Sequence, residues 1–363
     1  MTSVGPGPGH GADGAPSAIA LSPILSARYR SRDLERIRAA APGARLVTVS
    51  VEGLADGPVD DVEVMLRGWL NSDAFDRLLA RAPRLGWVHS ATSGVEGALT
   101  RAALERGVVV TNARGVFSRP IAEYVLMMIL SVSRRLPQLL ELQQERTWQP
   151  LEGAELRDVT VGIIGLGSIG RAVGALATAF GCRVVAVRRR PGGDERPAGD
   201  APAVADDASV SSVESERSFG EAMLARVGGP ETLPELLGES DFIVLAAPLT
   251  PETEAMINDE TLAMVKPGAW LINVARGRLI DERALLRALR EGPLGGAVLD
   301  TFVEEPLPPS SVFYELPNAI VTPHTSWSSA RALDRSVDLF CENLRRYTRG
   351  EELLNLVDPR VGY

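Results

Sequence analysis

Three histidines occur in the sequence, His10, His89 and His324. Histidine titrates closest to neutral pH and is the usual proton donor in catalysis. His10 falls in the Gly- and Pro-rich start MTSVGPGPGHGADGAP, and His89 lies near the end of a strand-like run. His324, in VTPHTS, follows directly on another such run. Open α/β sheets hold their ligands at the carboxyl ends of their strands, so His324 is the best placed of the three. Arg276 in INVARG and Glu305 in LDTFVEEP stand beyond two further apolar runs, on the same expected edge. Taken singly, each reads as a surface charge or a structural histidine.

A second kind of chemistry is written in GLGSIG, Gly165 to Gly170, between the β-rich VTVGII and a helix ending near Phe180. This is the strand, turn and helix context in which a GxGxxG run binds a dinucleotide pyrophosphate. Gly165 permits the turn, Gly167 admits a phosphate to the backbone, and Gly170 lets helix and strand approach. The amides of Ser168 and Ile169 would meet the anion at the positive end of the helix. The next strand ends in Arg188, Arg189 and Arg190, where an NAD site normally carries an acidic residue. Arginines there can bind a 2′-phosphate through charge-assisted bonds, so NADP(H) is expected in preference to NAD(H), which stays possible.

The elements that must position these residues follow from periodicity. Between about Ser17 and Val116, strand-like runs at Ala18–Leu21, Leu46–Val49, Val62–Leu66, Trp87–His89 and Val108–Thr111 alternate with helical stretches such as Asp33–Ala41 and Asp73–Ala82. The alternation argues for a parallel α/β sheet. A strong, mostly apolar helix is expected from Pro120 to Leu136, buried between two modules. Six strand-like segments then follow, VTVGIIG, CRVVAVR, DFIVLAAP, AWLINVA, GAVLD and AIVTP, in keeping with a doubly wound dinucleotide fold. The last helix, from about Ser328 to Arg349, has no partner in that series and is expected to return to the first domain.

The expected fold class is therefore α/β, with two Rossmann-like, doubly wound parallel-sheet domains. The substrate domain, 17–119 with 328–357, is flavodoxin-like and discontinuous; the cofactor domain covers 120–327. Residues 1–16 read as a disordered tail. The stretch 191–229, rich in Ala, Asp, Ser and Gly, reads as a flexible surface insertion.

Composition limits the partners. Of 363 residues, 45% are hydrophobic and 23% charged, an ordinary globular balance. A net charge of -9 argues against a nucleic-acid surface, which needs clustered Lys and Arg. The most apolar helical run, Tyr124 to Val132, is far shorter than the roughly 20 residues that cross a bilayer, so no membrane span is expected. The two cysteines, Cys182 and Cys341, lack disulfide or zinc spacing and fit a reducing, cytoplasmic compartment; no metal site is expected.

With GLGSIG, the order Arg276, Glu305, His324 resembles the D-isomer-specific 2-hydroxyacid dehydrogenase family. NARGVFSRPIAEYVL, SDFIVLAAPLTPET, KPGAWLINVARG and NAIVTPHTS also look like family blocks in family order, and the resemblance runs from about Ala18 to Val357. It implies reduction of a 2-oxo acid to the D-2-hydroxy acid, and the reverse. His324 would be the acid and base, Glu305 its partner, and Arg276 the anchor that polarises the substrate carbonyl. The resemblance assigns the amides of Ser93, Gly94 and Val95, in HSATSGVEG, to the substrate carboxylate. It assigns Ala247, Pro248 and Thr253 to the loop around the nicotinamide ribose, Ala275 to the ring and Asp300 to the carboxamide. Trp69 and Trp327 are candidates to line the substrate pocket. HTSW, in place of the more usual small residues after the histidine, leaves open which 2-oxo acid is used. The family also implies a homodimer built on the helix from Pro120. Formate dehydrogenases on this fold carry glutamine at the position of Glu305, which disfavours that activity. A non-catalytic, dinucleotide-sensing partner protein of the corepressor type is the alternative of a different class.

Overall fold

The computed structural model describes residues 14–24, 29–189 and 223–359. These form two compact units, one built from parts of Met1–Phe117 and Ser329–Tyr363, the other from Ser118 to Ser328.

In the first unit, strands β1 (Ala18–Leu21), β2 (Arg45–Thr48), β3 (Val62–Arg67), β4 (Trp87–Ser90) and β5 (Val109–Asn112) form a parallel sheet of order β2-β1-β3-β4-β5. Strands β1, β3 and β4 are buried along their whole length, as parallel strands covered on both faces must be. Helices α1 (Ser31–Ala40), α2 (Ser72–Arg81) and the short α3 (Arg101–Glu105) complete the crossovers. Helix α2 begins where the Asn71 side chain accepts the Ala74 amide, and it buries Ala74, Phe75, Leu78 and Leu79 as one stripe; such a cap is worth about 1 kcal/mol.

The return of the chain is needed to finish this unit. From the C-terminal helix, Ala330–Arg349, Phe340 and Tyr347 pack on Trp87 at ring distances of 5.7 and 5.4 Å. Beyond it, Leu356 bridges Thr111 antiparallel, and the Val357 amide donates to the Val110 carbonyl, so the edge of β5 is covered. Arg32 and Arg36 of α1 and the flanking Arg30 share the carboxylates of Asp33, Asp334 and Asp338.

The second unit opens with α4 (Ser118–Ser133) and α5 (Leu136–Gln144). The single helix expected from Pro120 to Leu136 is thus two, parted at Arg135, whose φ of +58° is left-handed. Strands β6 (Thr160–Ile164), β7 (Arg183–Val187), β8 (Arg226–Gly228), β9 (Phe242–Leu245), β10 (Trp270–Asn273), β11 (Gly296–Leu299) and β12 (Ala319–Val321) form a parallel sheet of order β12-β11-β10-β9-β6-β7-β8. Its order reverses between β6 and β9, which marks the crevice where doubly wound sheets bind ligands. Helix α6 (Ser168–Ala179) follows β6 and packs against α4.

Strand β8 corrects the sequence reading, which placed Arg226–Gly228 inside a flexible insertion. Three residues are too short to show a period of two. The strand pairs with β7 and is pinned by Arg226, which binds both Glu235 and Glu239. Residues 190–222 of that stretch lie outside the described residues.

Candidate active site

The glycine run sits at the crevice of the second sheet. Gly165 has φ +101°, and a Cβ there would come within 2.5 Å of the Ala247 amide nitrogen, so only glycine turns the chain against β9. A Cβ on Gly170 would lie 2.0 Å from the Gly165 carbonyl oxygen, whereas one on Gly167 would meet nothing within 4 Å. Space is thus kept beside Gly167, the N-cap of α6. The first amides of that helix, including those of Ser168 and Ile169, have no partner within the helix and suit an anion. These observations fit a dinucleotide pyrophosphate.

Arg188 donates its amide to the Gly228 carbonyl at the end of β7, and Arg189 beside it is exposed. Arg190 lies outside the described residues. The sequence reading missed Glu252, an exposed acid whose carboxyl is held below its usual range by the Thr250 hydroxyl, its own amide and the charge of Arg189. It sits in the loop fixed by Thr253, whose hydroxyl donates to the Pro248 carbonyl at 2.7 Å and accepts the Thr250 amide at 2.8 Å. Ala247 and Ala275 are buried on either side of Pro248 in the chain.

Arg276, Glu305 and His324 follow β10, β11 and β12, three neighbouring strands. The Arg276 loop is fixed by Asn273, which donates to the Arg276 carbonyl and accepts the Ala275 amide. The Arg276 guanidinium donates to the Ala275 carbonyl at 2.8 Å. Gly277 brings this loop against the next: a Cβ there would lie 2.0 Å from the Phe302 carbonyl carbon. One Glu305 oxygen accepts the Phe302 amide at 2.9 Å, and the other meets His324 Nδ1 at 2.8 Å. Burial opposes ionisation of Glu305. The bonds from His324 and Phe302 and the charges of His324 and Arg276 outweigh it and hold the carboxyl below its usual range. An ionised carboxylate only accepts, so Nδ1 carries a proton and Nε2 is left for chemistry.

Asp300, expected at the carboxamide, follows β11. It is fully buried, and its oxygens accept the Thr322 hydroxyl at 2.6 Å and the amides of Thr325 and Ser326 at 2.8 and 2.9 Å. The carboxylate is thus committed to the turn that carries His324. Trp327 joins the same turn, donating Nε1 to the His324 carbonyl at 2.7 Å.

The remaining candidates belong to the first unit. The carbonyls of Ser93 and Gly94 accept from Asn112 Nδ2 and from the hydroxyls of Ser90 and Thr92. Among the described residues, the amides of Ser93, Gly94 and Val95 have no hydrogen-bond partner. Trp69, beyond β3 at the point where this sheet reverses order, is 53% exposed. The described residues hold no cluster of His, Cys, Asp and Glu suited to a metal, and no helix among them is long and apolar enough to cross a membrane.

The second unit therefore has the architecture and the strand-end residues of a nicotinamide-dinucleotide oxidoreductase. Residues 126–326 match the D-isomer specific 2-hydroxyacid dehydrogenase, NAD binding domain. The chain is 32% identical over 312 residues to a glyoxylate reductase of Thermococcus kodakarensis, covering 84% of each chain. It is 36% identical to a D-3-phosphoglycerate dehydrogenase of Mycobacterium tuberculosis over 78% of this chain and 49% of that one. Among solved structures, a D-isomer specific 2-hydroxyacid dehydrogenase from Xanthobacter autotrophicus Py2, in complex with NADPH and MES, superposes with a TM-score of 0.77 at 29% identity, covering 96% of this chain and 100% of that one. An NADPH-dependent glyoxylate/hydroxypyruvate reductase from Sinorhizobium meliloti, in complex with NADP and sulfate, gives 0.74 at 26% identity, with coverage of 96% and 100%. The chain belongs to the D-isomer specific 2-hydroxyacid dehydrogenase family, and its expected α/β fold with two parallel sheets is the one observed.

Proposed function

We propose that this enzyme reduces a small 2-oxo acid to the D-2-hydroxy acid with NADPH, and that His324 is the acid and base. The observation that carries this reading is the 2.8 Å bond between His324 Nδ1 and Glu305 at the ends of neighbouring strands. Glu305 holds Nδ1 and leaves Nε2 directed away from itself, so that the imidazolium would give its Nε2 proton to the 2-oxo oxygen. A bound nicotinamide supplies the hydride. Arg276 would hold the substrate and polarise the carbonyl, and in oxidation neutral Nε2 would take the hydroxyl proton. The unpartnered amides of Ser93, Gly94 and Val95 offer what a carboxylate needs.

NADPH is preferred on the strength of Arg188 and Arg189. Their charge favours a 2′-phosphate, and the nicotinamide relatives crystallised with NADPH or NADP are consistent with it. Glyoxylate and hydroxypyruvate are the first substrates to try, because relatives bear those names. A two-fold dimer is supported by the exposed apolar residues Leu136, Leu139, Leu140 and Trp148 on and after α5. A reducing compartment is supported by the two free, buried cysteines.

The test is loss of NADPH or NADH absorbance with glyoxylate, hydroxypyruvate, phenylpyruvate and 2-oxoisocaproate, beside a His324→Ala control. Turnover of one of them with NADPH, abolished in the control, is expected. Tight NADPH binding without turnover would favour a sensing role, and a clear preference for NADH would overturn the reading of the arginines.

A further inference from the structure

We propose that Tyr124 and Thr322 are positioning residues for the acid–base histidine, acting as a directed chain of hydrogen bonds that ends on Asp300 and holds the turn bearing His324. The inference rests on the reading of His324 given above. Tyr124 lies on α4 with its hydroxyl 2.7 Å from the Thr322 hydroxyl, which is 2.6 Å from the Asp300 carboxylate. The direction of the chain follows from chemistry. A carboxylate only accepts, so the single hydroxyl proton of Thr322 goes to Asp300, and the Thr322 oxygen must accept from Tyr124. Burial keeps Tyr124 protonated and able to donate, its phenol pushed up to about 12. Each bond polarises the next.

What the chain holds needs holding. His324 has φ +48°, left-handed for a residue with a Cβ, a conformation that persists only where the surroundings impose it. Asp300, at the end of the neighbouring strand β11, imposes it through the Thr325 and Ser326 amides. Tyr124 stands on a third element, α4, 198 residues from Thr322 in sequence. Through Thr322 it fixes which way the Asp300 carboxylate faces, and so where the turn and the imidazole stand.

Thr322→Val keeps the side-chain shape and removes the hydroxyl. It is expected to lower kcat roughly tenfold, with KM and the Kd for NADPH within about twofold, the scale of a lost bond to a charged group. Amide hydrogen exchange across residues 322–328 should speed up by a similar factor. Thr322→Ser should restore both readouts. Tyr124→Phe should give a smaller loss, about threefold, and add little to Thr322→Val, because the two act in series. Unchanged exchange across 322–328 in Thr322→Val overturns the proposal, as do equal losses in the Ser and Val variants or full additivity with Tyr124→Phe. Should Thr322→Val fail to fold, Tyr124→Phe carries the same exchange test. Faster exchange in a protein whose wild type reduces no 2-oxo acid would remove the acid–base reading while leaving the chain of bonds in place.

Discussion

The chain places a histidine in each of two contrasting regions, the interior of the first sheet and the strand-end turn of the second. His89 on β4 is fully buried among Trp87, Phe340 and Thr111. Thr111 accepts the Trp87 indole N–H at 2.9 Å, and its hydroxyl lies 2.8 Å from His89 Nδ1. The remaining nitrogen, Nε2, has no partner among the described residues, and burial pushes the imidazole down to about 3. His324 has 43% of its side chain exposed and a carboxylate on Nδ1. The same residue type is locked neutral in one region and offered a counter-charge and solvent in the other. Its partner and its access to water decide whether a histidine can move protons.

The sharpest way to break this contrast is to remove each ring in turn. His324→Ala should cost roughly a hundredfold to ten-thousandfold in kcat/KM, the range of a general acid–base group, while His89→Leu should leave kcat within about twofold. Equal losses in the two variants would show that burial does not separate their roles. A smaller effect is expected from Glu305→Gln, which keeps a hydrogen-bond partner for Nδ1 but removes the charge; roughly a tenfold to hundredfold fall in kcat should follow. Activity near that of the wild type would mean that the carboxylate only orients the ring.

The third expectation concerns stability against acid. The folded His89 titrates below its unfolded value of about 6.5, so the unfolded chain takes up the proton first. Its contribution is whole above that pH and is lost as the pH falls toward 3, by up to about 1.4 kcal/mol per pH unit. Urea unfolding at several pH values in this window should show a shallower dependence in His89→Leu than in the wild type. Parallel curves would contradict the buried, neutral state. At pH 7 the same substitution should change stability by only about 1 kcal/mol, because it also removes a buried nitrogen without a hydrogen-bond partner.

Much of this was legible from residues alone. GLGSIG identified the crevice because its glycines are demanded by backbone contacts, at Gly165 against Ala247 and at Gly170 against Gly165. Arg276, Glu305 and His324 were visible because they stand beyond three successive apolar runs and, with GLGSIG, follow the order of the family they resemble. Strand β8 was not, since Arg226–Gly228 is too short to show alternation and is held by Glu235 and Glu239 from farther along the chain. The commitment of Asp300 to the histidine turn was hidden too, because its partners are two backbone amides and a threonine more than twenty residues on. Tyr124 read only as one more apolar-facing position on a helix. No local pattern announces a bond to Thr322.

The cover that residues 330–357 give to β4 and β5 sets an order of events during synthesis. The ribosome makes the first sheet early, yet the aromatic lid of Phe340 and Tyr347 and the strand-like Leu356 emerge only after all of the second unit. The second unit, which begins at Ser118 and ends at Ser328, can therefore fold while the first waits with Trp87 and the edge of β5 uncovered. A nascent chain arrested once residue 328 has cleared the exit tunnel should resist protease across the later unit and remain cleavable in the earlier one. Release of the remaining residues should then protect both, so that the half made first is the half completed last.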